Sequence, residues 1–225
     1  ADFEDLLYNG PFEMTVWVHG AHLRMEKNTH YWDHERVRLN VIDIPYFTTD
    51  TTAALNLYKD GQIAIVDYLG AEQLDEVLQQ RWELLRFGDG SVWFLAFNFD
   101  PGRVTSNWHL RKALQLVTDP SELVNRIIKL PGNLPGESLF PVWLQGVNGF
   151  FRQEYPAPQI ALDASAAREH LRLAMEELGL DEPPSLALLV DDTPGAGRQA
   201  EYFQNLYGTQ LGIDIRIDRQ IFKQR

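Results

Sequence analysis

Apolar and polar residues alternate over the first part of the chain, which is the pattern of strands with one buried face. The alternation that begins at Phe12 stops at Gly20 and then resumes, so the sequence predicts a β-hairpin. Pro45 ends a third strand, because proline cannot donate to a sheet ladder. The predicted strands of this region are 12–18, 22–27, 37–44 and a short buried strand over 63–66, and the predicted helices are 49–60 and 72–79.

From about residue 90 the spacing of apolar residues changes to a mixture of strand and helix periods. A strand rich in aromatic residues is predicted over 91–98. Ser106 is predicted to open a helix, because the apolar residues that follow recur at helical spacing on one face; they are Leu110, Ala113, Leu114 and Val117. Asp119 before Pro120 predicts the capped start of another helix.

The last part of the chain predicts an ordered loop followed by a β–α–β unit. Residues 131–161 are rich in proline and glycine, and their aromatic residues are expected to be buried; these are Phe140, Trp143, Phe150 and Phe151. A capped helix is predicted over 163–178 and ends at Gly179. Strands over 186–190 and 213–217 flank a helix near 198–210, and such units are parallel and right-handed. The fold class is therefore α/β, of a mixed α+β kind.

Composition narrows the classes of function. The chain has 225 residues, of which 44% are hydrophobic and 23% charged, as in globular proteins. Its formal net charge of −12 should repel nucleic acids and anionic membrane surfaces. The absence of cysteine excludes disulfides and thiolate chemistry. The first residues lack the pattern of a signal peptide, and strands lie near both ends, so we expect a piece of a longer protein.

A search for catalytic and metal-binding motifs gives little. Gly195-Ala196-Gly197 lacks the third glycine of a dinucleotide fingerprint, and a loop-to-helix turn is the better interpretation. His30 and His34 are four residues apart, but the residues between them suggest a turn, so structural histidines are favoured over a metal site. Asp191-Asp192 is best interpreted as part of a turn. The sequence therefore predicts no enzyme, no cofactor and no metal.

Several short blocks, in a fixed order, resemble one protein family. The run from Tyr8 to Phe12, then Trp17, then the run from Met25 to Asp33 (MEKNTHYWD) is similar to the signature of family 5 extracellular solute-binding proteins, which include peptide receptors of ABC importers. The likeness continues through four further blocks, which are ALNLYKDGQI at 54–63, LAFN at 95–98, LRKAL at 110–114 with Thr118-Asp119, and the helix that runs from Ala166 to Gly179.

This resemblance implies a fold and a division into domains. It implies periplasmic-binding-protein-like type II lobes that close on a ligand, with residues 1–88 in the β-rich part of lobe I and 89–225 in the second large lobe. Gly88, Asp89 and Gly90 would form the hinge between them, because glycines tolerate large changes of backbone angle. The family's segments before the first block and after the last strand are not included, so the fold is expected to be incomplete, with exposed apolar patches that favour self-association.

The resemblance also implies the residues that bind the ligand. They are Asp67, Tyr68, Leu69, Ser91, Trp93 and Phe94. Their backbone groups would pair with an extended peptide as with an added strand, and only one of the two adjacent rings would face the cleft. Asp67 could meet a ligand ammonium group or cap a turn, and the cap is favoured. Arg111 could clamp a carboxylate of the ligand or of the protein, and an internal ion pair is favoured.

The function that the resemblance implies is that of the substrate-binding component of an ABC-type importer, with a peptide as the expected ligand. Its partners would be the ligand and the membrane permease subunits, and its location periplasmic or at the cell surface, peripheral to the membrane at most. This piece by itself is expected to bind peptide weakly or not at all. The alternative is the sensing domain of a cytoplasmic transcription regulator of the same fold.

Overall fold

The computed structural model describes residues 3–136, 138–159 and 161–221. It divides into two compact units, Ala1–Asp67 and Tyr68–Arg225. Residues 68–88, which the resemblance placed in the first part, therefore belong to the second compact unit. The assignment of residues 1–88 and 89–225 to separate lobes stays a prediction.

The first unit is built on an antiparallel meander. Strand β1 (Phe12–Val18) pairs with β2 (His22–Lys27), and β2 pairs with β3 (Val41–Ile44). In the register, Phe12 lies opposite Lys27 and Leu23 lies opposite Ile44. Helix α1 (Thr51–Lys59) follows, and the Asp50 carboxylate caps it by accepting from the N–H groups of Thr52 and Ala53. The predicted hairpin and helix are confirmed.

The third strand is shorter than predicted. Residues 37–40 lie outside β3 and follow a single 3₁₀ turn, His34–Arg36. The ladder starts only where the chain reaches the end of β2, at the hydrogen bond from Lys27 N–H to the Asn40 carbonyl (2.8 Å). The apolar pattern over 37–44 could not show where pairing begins.

A buried asparagine joins the start of β1 to the end of β2. Asn28 is 2% exposed. Its Nδ2 donates to the Gly10 carbonyl at 3.0 Å, and its Oδ1 accepts from the His30 N–H at 2.9 Å. Its own N–H donates to the Pro11 carbonyl at 3.0 Å. Asn28 therefore links the run that ends at Phe12 to the run from Met25 to Asp33, which are the first blocks of the family resemblance.

The second unit contains six helices and a parallel pair of strands in its described residues. The helices are α2 (Ala71–Gln79), α3 (Trp108–Val117), α4 (Pro120–Glu122), which continues as a π-helical turn over Leu123–Ile128, α5 (Phe151–Glu154), α6 (Ala164–Leu178) and α7 (Pro194–Leu211). A 3₁₀ turn, Val104–Ser106, precedes α3. Strands β4 (Leu186–Asp191) and β5 (Ile215–Gln220) pair in parallel, with Leu186 opposite Ile215. The predicted β–α–β order and its parallel pairing are confirmed.

The core of the second unit lies where α3, α6 and α7 meet the parallel strands. Leu110 is 0% exposed and is among the largest fully buried side chains. The other buried members of the cluster share this apolar character and are Ala113, Leu114, Leu116, Ala167, Leu171, Ala174, Phe203, Tyr207, Leu211, Ile213 and Ile215. The predicted apolar stripe of α3 is thus the centre of the core, although Val117 is only partly buried.

The helix caps follow the sequence with one exception. Asn107, not Ser106, caps α3, because its side chain accepts from the Leu110 N–H. Asp119 caps α4 and Asp163 caps α6, as predicted. Gly179 ends α6 with φ of 65°, a left-handed conformation that glycine adopts without steric cost.

Two predicted strands and one predicted burial are wrong. Residues 63–66 and 91–98 lie outside all strands of the described chain, and Ile65 is 79% exposed. An apolar run forms a strand only where a neighbouring chain pairs with its backbone, and the described residues supply no such neighbour here. Three of the four aromatic residues predicted to be buried in the 131–161 loop are exposed, since Phe140 is 51%, Trp143 40% and Phe150 39% exposed, whereas Phe151 is partly buried.

Replacement of Asp163 by alanine is expected to destabilise α6. The Asp163 carboxylate accepts from the N–H groups of Ser165 and Ala166, both at 2.9 Å. Loss of such a cap costs about 1 kcal/mol of the free energy of unfolding. Urea unfolding would measure the change. Asp181→Ala, which removes an exposed carboxylate beyond the end of the helix, is the control; equal effects of the two substitutions would contradict the capping role.

Candidate functional site

The first predicted ligand-binding segment leads into α2. Tyr68 is 65% exposed, and Leu69 is partly buried. The helix that follows is fixed at its start, because the Gln73 side chain accepts from the N–H of buried Gly70 at 3.0 Å. Glu72 in the first turn of α2 lies 3.4 Å from Arg198 of α7. Asp67 ends the first compact unit and is exposed.

The second predicted segment exposes both of its aromatic rings. Trp93 is 85% and Phe94 66% exposed. The expectation that one ring faces the core is therefore wrong, because without a strand ladder the side chains do not alternate between a buried and an open face. Ser91 is exposed as well. The rings of Trp93 and Phe94 therefore both lie at the surface of the second unit.

The backbone of residues 83–99 takes no part in a strand ladder, although side chains bind the Ser91 N–H (2.9 Å) and the Asn98 carbonyl (2.6 Å). None of these residues forms a backbone–backbone hydrogen bond to another described residue. Pairing resumes after Asp100, whose carbonyl accepts from the Arg103 N–H at 3.1 Å. A stretch with unpaired N–H and C=O groups can accept an added strand. We call residues 83–99 the open segment.

The predicted hinge lies inside the open segment and packs on a tryptophan. A Cβ atom on Gly88 would lie 3.4 Å from the Cζ2 atom of the Trp143 indole, which is an ordinary van der Waals distance, so the indole packs against this turn. Gly90 has a φ of 83°. Asp89 between them accepts from the Ser91 N–H at 2.9 Å, and its hydrogen bonds to Ser91 lower its pKa and keep the carboxylate charged. Whether this turn acts as a hinge stays a prediction.

Arg111 fixes the chain between the open segment and α3. Its Nη1 donates to the carbonyls of Thr105 (2.8 Å) and Ser106 (2.7 Å), and its guanidinium lies 4.5 Å from the centre of the Phe99 ring. Among the described residues Arg111 binds backbone carbonyls and an aromatic ring and forms no ion pair with a carboxylate, so the favoured internal ion pair is wrong. Its role is internal, as predicted.

The first unit contains a groove that the sequence did not predict. It has a volume of about 530 Å³ and lies between the hairpin turn and α1. Its aromatic wall is formed by Tyr46 and Phe47, and the Tyr46 hydroxyl donates to Gln62 Oε1 at 2.9 Å. The signal in the sequence was the run Pro45-Tyr46-Phe47, which lies three residues before helix α1.

Two of the weaker candidates of the sequence, His34 and Gly197, have close neighbours within the protein. His34 Nδ1 lies 3.2 Å from the Tyr31 carbonyl. The part of the chain that the structure describes holds no group of three or more metal-ligating side chains. Gly197 lies in the first turn of α7, where an added Cβ would meet the Arg219 guanidinium at 2.9 Å. Across the described ranges, no helix is long and apolar enough to cross a membrane.

Comparison with known proteins decides the family. The model of the bacterial extracellular solute-binding proteins, family 5 Middle, matches residues 2–225. The chain belongs to this family. It is 26% identical over 230 aligned positions to the oligopeptide-binding protein OppA of Bacillus subtilis strain 168, covering 96% of this chain and 39% of that protein. The chain thus spans well under half the length of that relative.

Solved structures agree with this assignment. A Bacillus anthracis oligopeptide ABC transporter substrate-binding domain superposes with a TM-score of 0.85 at 29% identity, over 96% of this chain and 42% of that one. Listeria monocytogenes OppA bound to peptide gives a TM-score of 0.81 at 25% identity, over 99% and 44%. The mixed α/β fold, periplasmic-binding-protein-like and incomplete, is therefore confirmed for this member of family 5. The comparisons give no support to the transcription-regulator alternative.

Proposed function

We propose that this family 5 chain is part of the substrate-binding component of an ABC-type importer and that its ligand is a peptide. Two observations support the proposal. The relatives include proteins named as oligopeptide-binding and dipeptide-binding, both from Bacillus subtilis. The open segment carries unpaired backbone groups together with the exposed rings of Trp93 and Phe94, and this second observation carries the argument.

The open segment suits an extended peptide. Backbone N–H and C=O groups would pair with those of the ligand, which gives affinity for many sequences because the backbone is common to all of them. Exposed aromatic rings would add apolar contact area at a low cost in side-chain entropy. Asp67 is the proposed partner of a ligand ammonium group, and Tyr68, Leu69 and Ser91 complete the proposed site.

The remaining parts of the proposal concern the whole protein. The ligand would be bound between two lobes on the outer side of the membrane and passed unchanged to permease subunits. Catalysis has no part in this function. Closure of the lobes would use the Gly88–Gly90 turn, since glycine absorbs large changes of φ and ψ.

Calorimetry with a library of short peptides would test the proposal. The protein translated from the complete reading frame is expected to bind peptides with micromolar or tighter affinity. The 225-residue chain by itself is expected to bind more weakly than about 1 mM, because most of the family's length is absent from it. Failure of the complete protein to bind any peptide would overturn the proposed ligand, and tight binding by this chain would overturn its incompleteness.

Trp93→Ala, made in the complete protein, is expected to weaken peptide binding about tenfold and to leave the free energy of unfolding unchanged. An anchoring aromatic side chain contributes more than about 1 kcal/mol to binding, whereas a residue that is 85% exposed contributes little to folding. Trp32→Ala is the matched control, because Trp32 is 82% exposed but lies outside the proposed site. Equal affinities of the two variants would contradict the role of Trp93.

A further inference from the structure

Two histidine side chains join α3 to α6. The Nδ1 atoms of His109 and His170 are 2.7 Å apart, and the ring centroids are 5.0 Å apart. Two imidazole nitrogens at this distance are held by a single proton, because one must donate and the other must accept. A single proton therefore lies between the two Nδ1 atoms.

A carboxylate faces the far side of one ring. Nε2 of His109 lies 3.7 Å from Oε1 of Glu177, which belongs to α6. The other oxygen of Glu177 accepts from Asn107 Nδ2 at 2.8 Å, and Asn107 is the residue that caps α3. The Trp108 indole stands edge-on to both imidazoles, with centroid distances of 4.9 Å to His109 and 5.3 Å to His170.

Other charged groups also lie on α3 and α6, and several of them have partners of their own. Glu169 neighbours His170 on α6, and its pKa is lowered mainly by a hydrogen bond from Arg172, which also binds Glu176, and to a smaller extent by a positive charge on His170. On α3 the ammonium of Lys112 donates to Gln115, and Arg111 binds backbone carbonyls. The side chains that α7 contributes to the shared core are uncharged, and they are Phe203, Tyr207 and Leu211. Burial raises the pKa of the Tyr207 hydroxyl above its usual value, so it stays neutral.

We propose that His109, His170 and Glu177 form a proton-dependent clamp between α3 and α6 that holds one positive charge. His109 carries both ring protons, donates Nδ1–H to His170 and places Nε2–H toward Glu177. His170 is neutral, with its proton on Nε2, so that its Nδ1 accepts. Loss of a proton from His109 removes the attraction to Glu177. Gain of a proton by His170 removes the acceptor and sets two cations side by side.

The clamp makes the second unit sensitive to acid. At about pH 5 the unfolded chain charges both imidazoles, whereas the intact clamp charges only one. The unfolded state then binds more protons than the folded state, and stability falls as the pH falls. Because the side chains of Asn107 and Glu177 are hydrogen-bonded, opening the clamp also weakens a contact at the start of α3. This inference does not depend on peptide binding.

His170→Asn in the 225-residue chain tests the clamp, because asparagine offers an oxygen near the position of Nδ1 but binds no proton. Between about pH 7 and pH 5, the unfolding constant of the natural chain is expected to rise about tenfold more than that of the variant. Protonation of His170 in the folded natural chain breaks its hydrogen bond to His109, and one hydrogen bond is worth about a factor of ten. His30→Asn, at an exposed histidine outside the clamp, should follow the natural chain. Identical pH profiles for His170→Asn and the natural chain would overturn the proposal.

Nitrogen NMR of the imidazole rings in the unaltered chain gives a second test that requires no variant to fold. At about pH 7, both ring nitrogens of His109 are expected to carry protons, while His170 carries one on Nε2. Glu177→Gln should reduce the protonated fraction of His109 at that pH. Two neutral rings, or two charged rings, in the natural chain at about pH 7 would contradict the one-charge clamp.

Discussion

Leu110→Ala is expected to lower the free energy of unfolding by about 3–4 kcal/mol. Leu110 is 0% exposed and lies at the centre of the cluster in which α3, α6 and α7 meet. Removal of a fully buried leucine side chain loses its transfer free energy and leaves a cavity that close-packed neighbours fill only in part. Denaturant unfolding, followed by circular dichroism at helical wavelengths, would measure the loss.

The control for this prediction is a leucine outside the core. Leu85 is 79% exposed, and Leu85→Ala should change the free energy of unfolding by less than about 0.5 kcal/mol. A small effect at Leu110 together with a large effect at Leu85 would show that the stability of the chain lies elsewhere than in the helical core.

Asn28→Ala is expected to destabilise the meander by about 2–3 kcal/mol. The substitution leaves the Gly10 carbonyl and the His30 N–H without their partner in a region where Asn28 is 2% exposed. A buried polar group that loses its hydrogen bond costs about 1–3 kcal/mol, and here two such groups lose theirs. Hydrogen exchange of peptides that cover residues 8–31 would report the loss locally, as faster exchange.

Asn40→Ala is the matched control for Asn28, since Asn40 lies in the same unit and is exposed. Removal of its exposed side chain leaves no buried donor or acceptor without a hydrogen-bond partner. Similar exchange rates in the two variants would mean that the Asn28 side chain does not hold the ends of β1 and β2 together.

The helices were predictable because their signals are local. Asp119 and Asp163 cap helices through N–H groups only two or three residues away, and Gly179 ends α6 through its own backbone angle. The stripe that begins at Leu110 needs only helical periodicity to be recognised. The hairpin is equally local, because β1 and β2 are neighbours in the sequence.

The wrong predictions concern structure that depends on distant partners. Residues 63–66 and 91–98 have the composition of strands, but composition does not supply the neighbouring backbone on which a ladder depends. For the same reason, the exposure of both Trp93 and Phe94 could not be predicted from alternation. The partners of Arg111 were also out of reach, since backbone carbonyls of a 3₁₀ turn leave no mark in the side-chain sequence.

The order of pairing in the meander bears on how the chain folds during synthesis. Each strand between Phe12 and Ile44 pairs with the strand next to it in sequence. Contacts of such low sequence separation form quickly and require no later residue to have left the ribosome. In contrast, β4 finds its partner β5 only after the whole of α7 has been translated. Synthesis from the amino terminus therefore favours completion of the meander first, while the parallel pair forms only once β5 has been made.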